Sequence, residues 1–259
     1  MNNIFRSAIY FNILLVLAGL SSCQKENSIE LGNAPEFGRI VLYWQPVFKN
    51  DSFEFNLPYQ NGSGETFTVQ KFMYYIHSIA LQTTDGRWRT VSAKEHFLVD
   101  FRNASSKLQE FPVQVGAYKQ LRFAIGVDSS RNFSGAQTGP LDPLNGMFWA
   151  WSSGYVFAKL EGLSPDSRGP RQEFTYHIGG YKPPYVAFRI ITLDLTGSGM
   201  LSIQKGATRH LKVTADVSKW FDNQHTIKIA TQYASHSPGS FAVLVADNYA
   251  GMFTVRSIE

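Results

Sequence analysis

Two tryptophans one residue apart, Trp149 and Trp151, six histidines and a single cysteine, Cys23, are the side chains through which this chain could do chemistry. An indole is a poor metal ligand because its nitrogen lone pair belongs to the aromatic ring. Oxidative opening of the five-membered ring to kynurenine changes this, since the product carries an aryl amine able to coordinate a soft or borderline metal. Imidazole suits copper directly. The histidines are His77, His96, His177, His210, His225 and His236. None stands in a His-x-His, His-Glu-x-x-His or other compact ligand spacing, so any metal site has to be assembled by the fold.

Strand parity ranks these histidines. His177 alternates with Phe174, Tyr176 and Ile178 and falls on the face opposite them, beside Gly179 and Gly180. It leads as a metal ligand, and an exposed strand histidine satisfies the same pattern. His77 shares parity with Met73, Tyr75, Ile79 and Leu81, so a regular strand buries it. It then reads either as a hydrogen-bonded core residue or as the neutral imidazole of a low-coordinate copper site. His96 and His210 alternate with polar or mixed positions, and His225 and His236 fall in polar connections, so these four read as peripheral.

Other chemistries find little support. The chain has no Cys-x-x-Cys-His haem site and no thiol besides Cys23, so it brings no redox centre of its own. It has no Gly-x-Ser-x-Gly elbow, no phosphate-binding glycine loop and no calcium-loop spacing of acids. Asp128, Asp142 and Glu161 border the tryptophan segment, and two of the three would be needed for a glycosidase carboxylate pair. Asp142, between Leu141 and Pro143, reads better as an Asx-type turn, and Glu161 precedes the strand-ending Gly162. The expectation is a protein without catalytic residues.

Residues 139–162, with the tryptophan pair at their centre, are the most specific stretch of the sequence. Together with residues 123–128 before them and 174–180 after them, they resemble the MbnP-like family of bacterial envelope proteins. The likeness is close over residues 121–180 and loose over most of the remaining chain. It implies a β-rich protein that binds copper, with a tryptophan converted to kynurenine by a separate MauG-type di-haem partner. The tryptophans concerned would be Trp149 and Trp151, with His177 and His77 as the metal-binding candidates. One departure from that pattern stands out: copper-binding relatives have histidines accompanying the oxidised tryptophan, whereas no histidine lies between Phe97 and Tyr176 here.

Compartment is read from the N-terminus. Arg6 precedes an apolar run over residues 9–20, too short for the roughly 20 residues of a membrane-spanning helix, and Leu20-Ser21-Ser22-Cys23 forms a lipobox. This predicts a signal peptide over residues 1–22, a lipidated tether over 23–35 anchored through Cys23, and an MbnP-like domain over 36–259. Gln24 follows the cysteine where an aspartate would favour retention in the inner membrane, so outer-membrane anchoring is expected, facing periplasm or cell surface. With 24 basic and 20 acidic side chains the formal charge is only +4, and no Lys/Arg cluster interrupts the chain, which argues against nucleic acid as a partner.

The elements that must position these residues are strands. β-branched and aromatic runs cover residues 39–44, 66–82, 96–101, 121–127, 149–160, 173–178, 185–195 and 209–217, separated by turn residues such as Asp85-Gly86, Asn145-Gly146 and Gly179-Gly180. Many short-spaced strands in one domain predict an all-β fold, a single β-sandwich with long loops and at most short helices. Residues 217–221 are expected to make one helical turn, and residues 241–253 a short helix or an irregular apolar ending. A regular strand over 149–160 would place Trp149, Trp151, Tyr155 and Phe157 on one face, where they either fill the sandwich core or form the modified site. Two non-copper readings follow from the same sequence. One is a surface lipoprotein that stacks its aromatics on glycans for an outer-membrane transporter, and the other is a structural envelope protein.

Overall fold

The computed structural model describes residues 36–151 and 154–259. The signal segment, the lipobox with Cys23 and the tether lie outside the described residues, among which no helix is long and apolar enough to cross a membrane.

The long strands are β1 (Phe37–Phe48), β2 (Thr66–Thr83), β3 (Trp88–Ser92), β4 (Phe97–Asp100), β5 (Leu108–Gln114) and β6 (Gly116–Ile125). A small hairpin of β7 (Phe148–Trp149) and β8 (Gly154–Tyr155) follows, then β9 (Ala158–Leu163), β10 (Glu173–Ile178), β11 (Arg189–Asp194), β12 (Thr208–Asp216) and β13 (Phe253–Ile258). Two curled sheets face each other, as expected of an all-β sandwich. The larger runs β11-β6-β2-β9-β10, with β3 and β4 also paired to the long β2. In the smaller, β12 lies parallel to β1 and antiparallel to β13, while β5 pairs antiparallel with β1.

The core between the sheets follows from alternation. Ile40, Leu42 and Trp44 of β1 point inward with Leu211, Val213 and Ala215 of β12 and meet Phe72, Tyr74 and Ile76 of β2. Trp44 is fully buried, edge-on to Phe123 at 5.0 Å and to Phe253 at 5.8 Å, an arrangement that suits the aromatic quadrupoles.

β2 departs twice from strict alternation, and both departures matter for function. Against β6, His77 pairs with Ala124 but Ala80 pairs with Arg122, so one residue is extra, and Ser78 takes a left-handed backbone (φ 53°) to accommodate it. Against β9, Lys71 pairs with Glu161 and Val69 with Gly162, leaving Gln70 extra. Each bulge reverses the parity beyond it. Met73, Tyr75 and His77 therefore share the outer face of the sheet, as expected. Ile79 and Leu81 do not, and turn into the inter-sheet core instead.

That outer face is roofed by the chain between β6 and β9. The Tyr75 hydroxyl donates to the Pro140 carbonyl at 2.8 Å, Tyr155 packs edge-on to Tyr75 at 6.1 Å, and the Lys159 ammonium donates to the Gly146 carbonyl. Here the continuous strand expected over residues 149–160 does not form. The chain enters β7, turns at Ala150 and Trp151, and returns in β8 with Gly154 opposite Trp149. The expected helical turn appears as the 3-10 helix Val217–Trp220. The apolar ending resolves into a helix, Ser240–Ala250, followed by β13. β3 and β5 escaped the sequence reading because their alternation is mixed with charged residues on an exposed face.

Candidate metal site

At one end of the roofed face, β2 and β4 bring two histidines together. Phe97 is the register partner of Ile76, so His96, one residue earlier on an antiparallel strand, falls opposite His77. The rings lie 4.5 Å apart, tilted by 31°, and Phe188 closes the far side of His77 at 5.4 Å. Both are buried, at 4% and 6% exposure. This corrects the reading of His96 as peripheral. Its position in sequence, at the head of a strand with mixed neighbours, carries no signal of a partner 19 residues upstream.

Hydrogen bonding sets the tautomer of His77. The Ser78 hydroxyl donates to the Ala93 carbonyl at 3.2 Å, so toward His77 its oxygen accepts, and the 2.7 Å contact is Nδ1–H donating to Ser78. Nε2 is left as a bare lone pair, buried and without a partner. His96 Nε2 lies 3.2 Å from Asp128 Oδ2, a contact that is attractive only when the ring is protonated, and this nitrogen has no hydrogen-bond partner either. Burial pushes His77 down to about 4, with the neighbouring His96 adding to the shift against the pull of Asp128. Burial likewise lowers His96, opposed by Asp128 and aided by Arg131. Both imidazoles are neutral at pH 7, the form that binds metals. Burial raises the Asp128 carboxyl, but hydrogen bonds from the Ser130 hydroxyl and the Arg131 amide, with the nearby histidines, outweigh it and hold the group ionised. An open cleft of about 430 Å³ reaches His77 between Lys94 and Arg131.

The other end is built by β9 and β10. His177 is the register partner of Lys159, with Glu161 beside them on the same face. His177 Nε2 meets Glu161 Oε1 at 2.8 Å, and Glu161 also takes Lys71 at 3.0 Å and Lys159 at 3.6 Å. Burial raises Glu161, but these donors and cations overcome it and pull its pKa down to about 2. Burial lowers His177, against the Glu161 bond that favours its charged form. His236 is not an isolated loop histidine: its ring lies 4.7 Å from that of His177, and its Nε2 is hydrogen-bonded to Thr175 Oγ1 at 2.7 Å.

The tryptophan pair is split. Trp149 is buried, with an indole N–H that has no hydrogen-bond partner, whereas Trp151 is 72% exposed. They do not share a strand face, because the turn of the β7–β8 hairpin separates them. A Cβ placed on Gly179 would stand 2.9 Å from Cη2 of Trp149, so the indole lies at the His177 end. His210 is exposed, and His225 pairs with Asp247 at 3.2 Å. Asp142 caps its turn as expected, accepting from the Leu144 amide at 2.9 Å. Among the described residues no group of three or more His, Cys, Asp or Glu side chains is arranged to hold a metal. A metal at His77 and His96 would thus have two imidazoles as its protein ligands. A cleft of about 690 Å³ lies elsewhere and, among the described residues, has Phe97 as its one aromatic ring, which gives sugar stacking a poor platform.

The model of the MbnP family matches residues 38–239. Among solved structures, MbnP from Methylosinus trichosporium superposes with a TM-score of 0.54 at 14% identity, over 81% of this chain and 88% of that one, a likeness of fold. No match was found among curated proteins.

Proposed function

The chain belongs to the MbnP family, and from that premise we propose that it is an envelope copper-binding protein whose copper is held by His77 and His96. The observation that carries this reading is the pair of buried, unpartnered Nε2 atoms on neighbouring neutral imidazoles. A buried polar atom left without a partner costs free energy, and a metal ion satisfies two such lone pairs at once. The Ser78 hydroxyl on Nδ1 of His77 is the outer-sphere support that metal-ligating histidines ordinarily have. The test is copper titration of the purified domain against a chromophoric cuprous chelator. Near-stoichiometric uptake that is lost in His77→Ala supports the site, and equal uptake by both proteins removes it.

A second reading places copper at the other end, where two observations favour it. Glu161 on Nε2 of His177 leaves Nδ1 as the coordinating atom, in the manner of a carboxylate-backed ligand. Trp149, the buried tryptophan, lies beside Gly179. Kynurenine at Trp149 or Trp151, made by a MauG-type di-haem partner, belongs to this part of the proposal, because the chain holds no oxidant of its own. Tryptic peptide mapping of native-host protein, with and without that partner, decides it. Unmodified tryptophans in the presence of an active partner would end the kynurenine reading.

Anchoring through Cys23 at the outer membrane completes the proposal. Cys23→Ala should abolish labelling by a fatty-acid probe and move the protein out of the membrane fraction. Unchanged labelling would overturn it.

A further inference from the structure

The cleft above His77 carries a charge pattern that a bare cation site does not explain. Its wall includes Lys94 and Arg131, both exposed, and neither takes part in a salt bridge among the described residues. Arg131 uses one guanidinium nitrogen on Gln137 at 2.7 Å and keeps donors to spare. The single carboxylate of the wall, Asp128, is already engaged by the Ser130 hydroxyl and the Arg131 amide and stands against His96. Lys94 and Arg131 outnumber the one carboxylate, so the wall is cationic by one formal charge before any metal enters. A metal ion seated on His77 would share this cleft with two positive side chains, and like charges repel. Two protein nitrogens also leave the ion short of ligands on the cleft side.

We propose that the cleft takes its metal together with a small anion, which Lys94 and Arg131 hold while it serves as a further ligand to the copper on His77 and His96. This inference rests on the copper reading above. The anion neutralises the mismatch, uses the spare guanidinium and ammonium donors, and fills the coordination position that the protein leaves open. Guanidinium and ammonium groups bind anions through charge-assisted hydrogen bonds whatever the identity of the anion. The ligand class is therefore a compact monoanion able to reach a metal, such as a halide, a pseudohalide or the carboxylate of a small acid.

Thiocyanate is a suitable probe, since its C–N stretch reports directly on coordination. Titrated into copper-loaded domain, it should bind saturably at one equivalent with a shifted infrared band. In the Lys94→Ala/Arg131→Ala double variant its affinity should fall about tenfold, the equivalent of one charge-assisted hydrogen bond. Copper affinity measured in buffer free of coordinating anions, chloride included, should not fall in that variant, because His77 and His96 hold the metal. Because both side chains are exposed, the variant keeps its fold, and the paired Lys94→Gln/Arg131→Gln variant provides a bulkier check. Copper uptake with no saturable thiocyanate binding, or equal thiocyanate binding in wild type and variants, would overturn the anion site and leave the copper reading standing. Equal copper uptake by wild type and His77→Ala would overturn both.

Discussion

His77 with His96, and His177 with His236, are ring pairs of almost equal separation, 4.5 and 4.7 Å, at two ends of one roofed sheet face. They differ in what surrounds them. The first pair is closed by Phe188 on one side and bordered by Ser78 and Asp128, and each ring keeps one nitrogen without a hydrogen-bond partner. The second is tied into a polar network in which Glu161 binds His177, Lys71 and Lys159, and Thr175 binds His236. Proximity of two imidazoles is therefore a poor guide to metal binding by itself. What counts is whether the lone pairs are already spent. In a low-dielectric setting a spent nitrogen contributes to stability, and an unspent one is an unpaid desolvation cost that a ligand can relieve.

The sharpest way to break this comparison is to delete one ring from each pair. His77→Ala or His96→Ala should weaken copper binding about a thousandfold, beyond the tenfold to hundredfold expected of an outer-sphere partner. His177→Ala should leave copper affinity within about threefold, a free-energy change below 1 kcal/mol. The reverse ranking in chelator competition would transfer the site to the His177 end.

Stability should rank the two ends the other way. Glu161→Gln removes the one carboxylate facing Lys159, which is almost wholly buried, and His177. It should cost roughly 3 kcal/mol, at the lower end for breaking a buried pair because Glu161 keeps some contact with water. Urea denaturation measures this, and a loss below about 1 kcal/mol would mean that solvent already screens the cluster.

Acid should separate the two ends in metal-free protein. His77 has a folded pKa of about 4 against an ordinary 6.5, so the unfolded state binds the extra proton in that interval. Stability is complete above pH 6.5 and declines toward pH 4, by roughly 3 kcal/mol if the whole shift is realised. Glu161, about 2 against 4.5, contributes stability that is complete above pH 4.5 and declines toward pH 2 by a comparable amount. His77→Gln should weaken the upper limb, to which His96 and His177, also lowered by burial, contribute as well, and Glu161→Gln should weaken the lower limb. Chemical denaturation at a series of pH values would expose a single shared limb, which would contradict independent ends.

Smaller effects test the roof. Gly179→Ala sets a Cβ 2.5 Å from the Tyr155 carbonyl oxygen and 2.9 Å from the Trp149 ring, a clash that backbone cannot easily yield to. It should cost about 2 kcal/mol by overpacking and alter the fluorescence of the buried indole. Trp151→Ala, at an exposed turn, should change stability by less than about 0.5 kcal/mol. Equal destabilisation by the two substitutions would mean that Trp151 packs as Trp149 does.

Much of this architecture was legible in the residues themselves. Alternation placed β1, the long β2, β10 and β12, because an apolar residue at every second position has one inward direction to follow. Asp142 beside Pro143 declared its turn, which depends on neighbours in sequence, whereas the apolar run near the C-terminus fitted a short helix and an irregular ending alike until the fold resolved it. The family resemblance at residues 121–180 also came from local sequence. What sequence could not decide were the places where a strand's conformation depends on its partner. The extra residue at Ser78 exists only relative to β6, and it turned Ile79 and Leu81 away from the face of His77. The hairpin that separates Trp149 from Trp151 forms because β7 and β8 pair with each other instead of continuing into β9. His96 joined His77 through an antiparallel register that no spacing encodes. Periodicity is a property of one strand, and the residues along it carry that property wherever they go. Register, bulges and the fate of a lone pair belong to two strands at once, and those only the tertiary structure could settle.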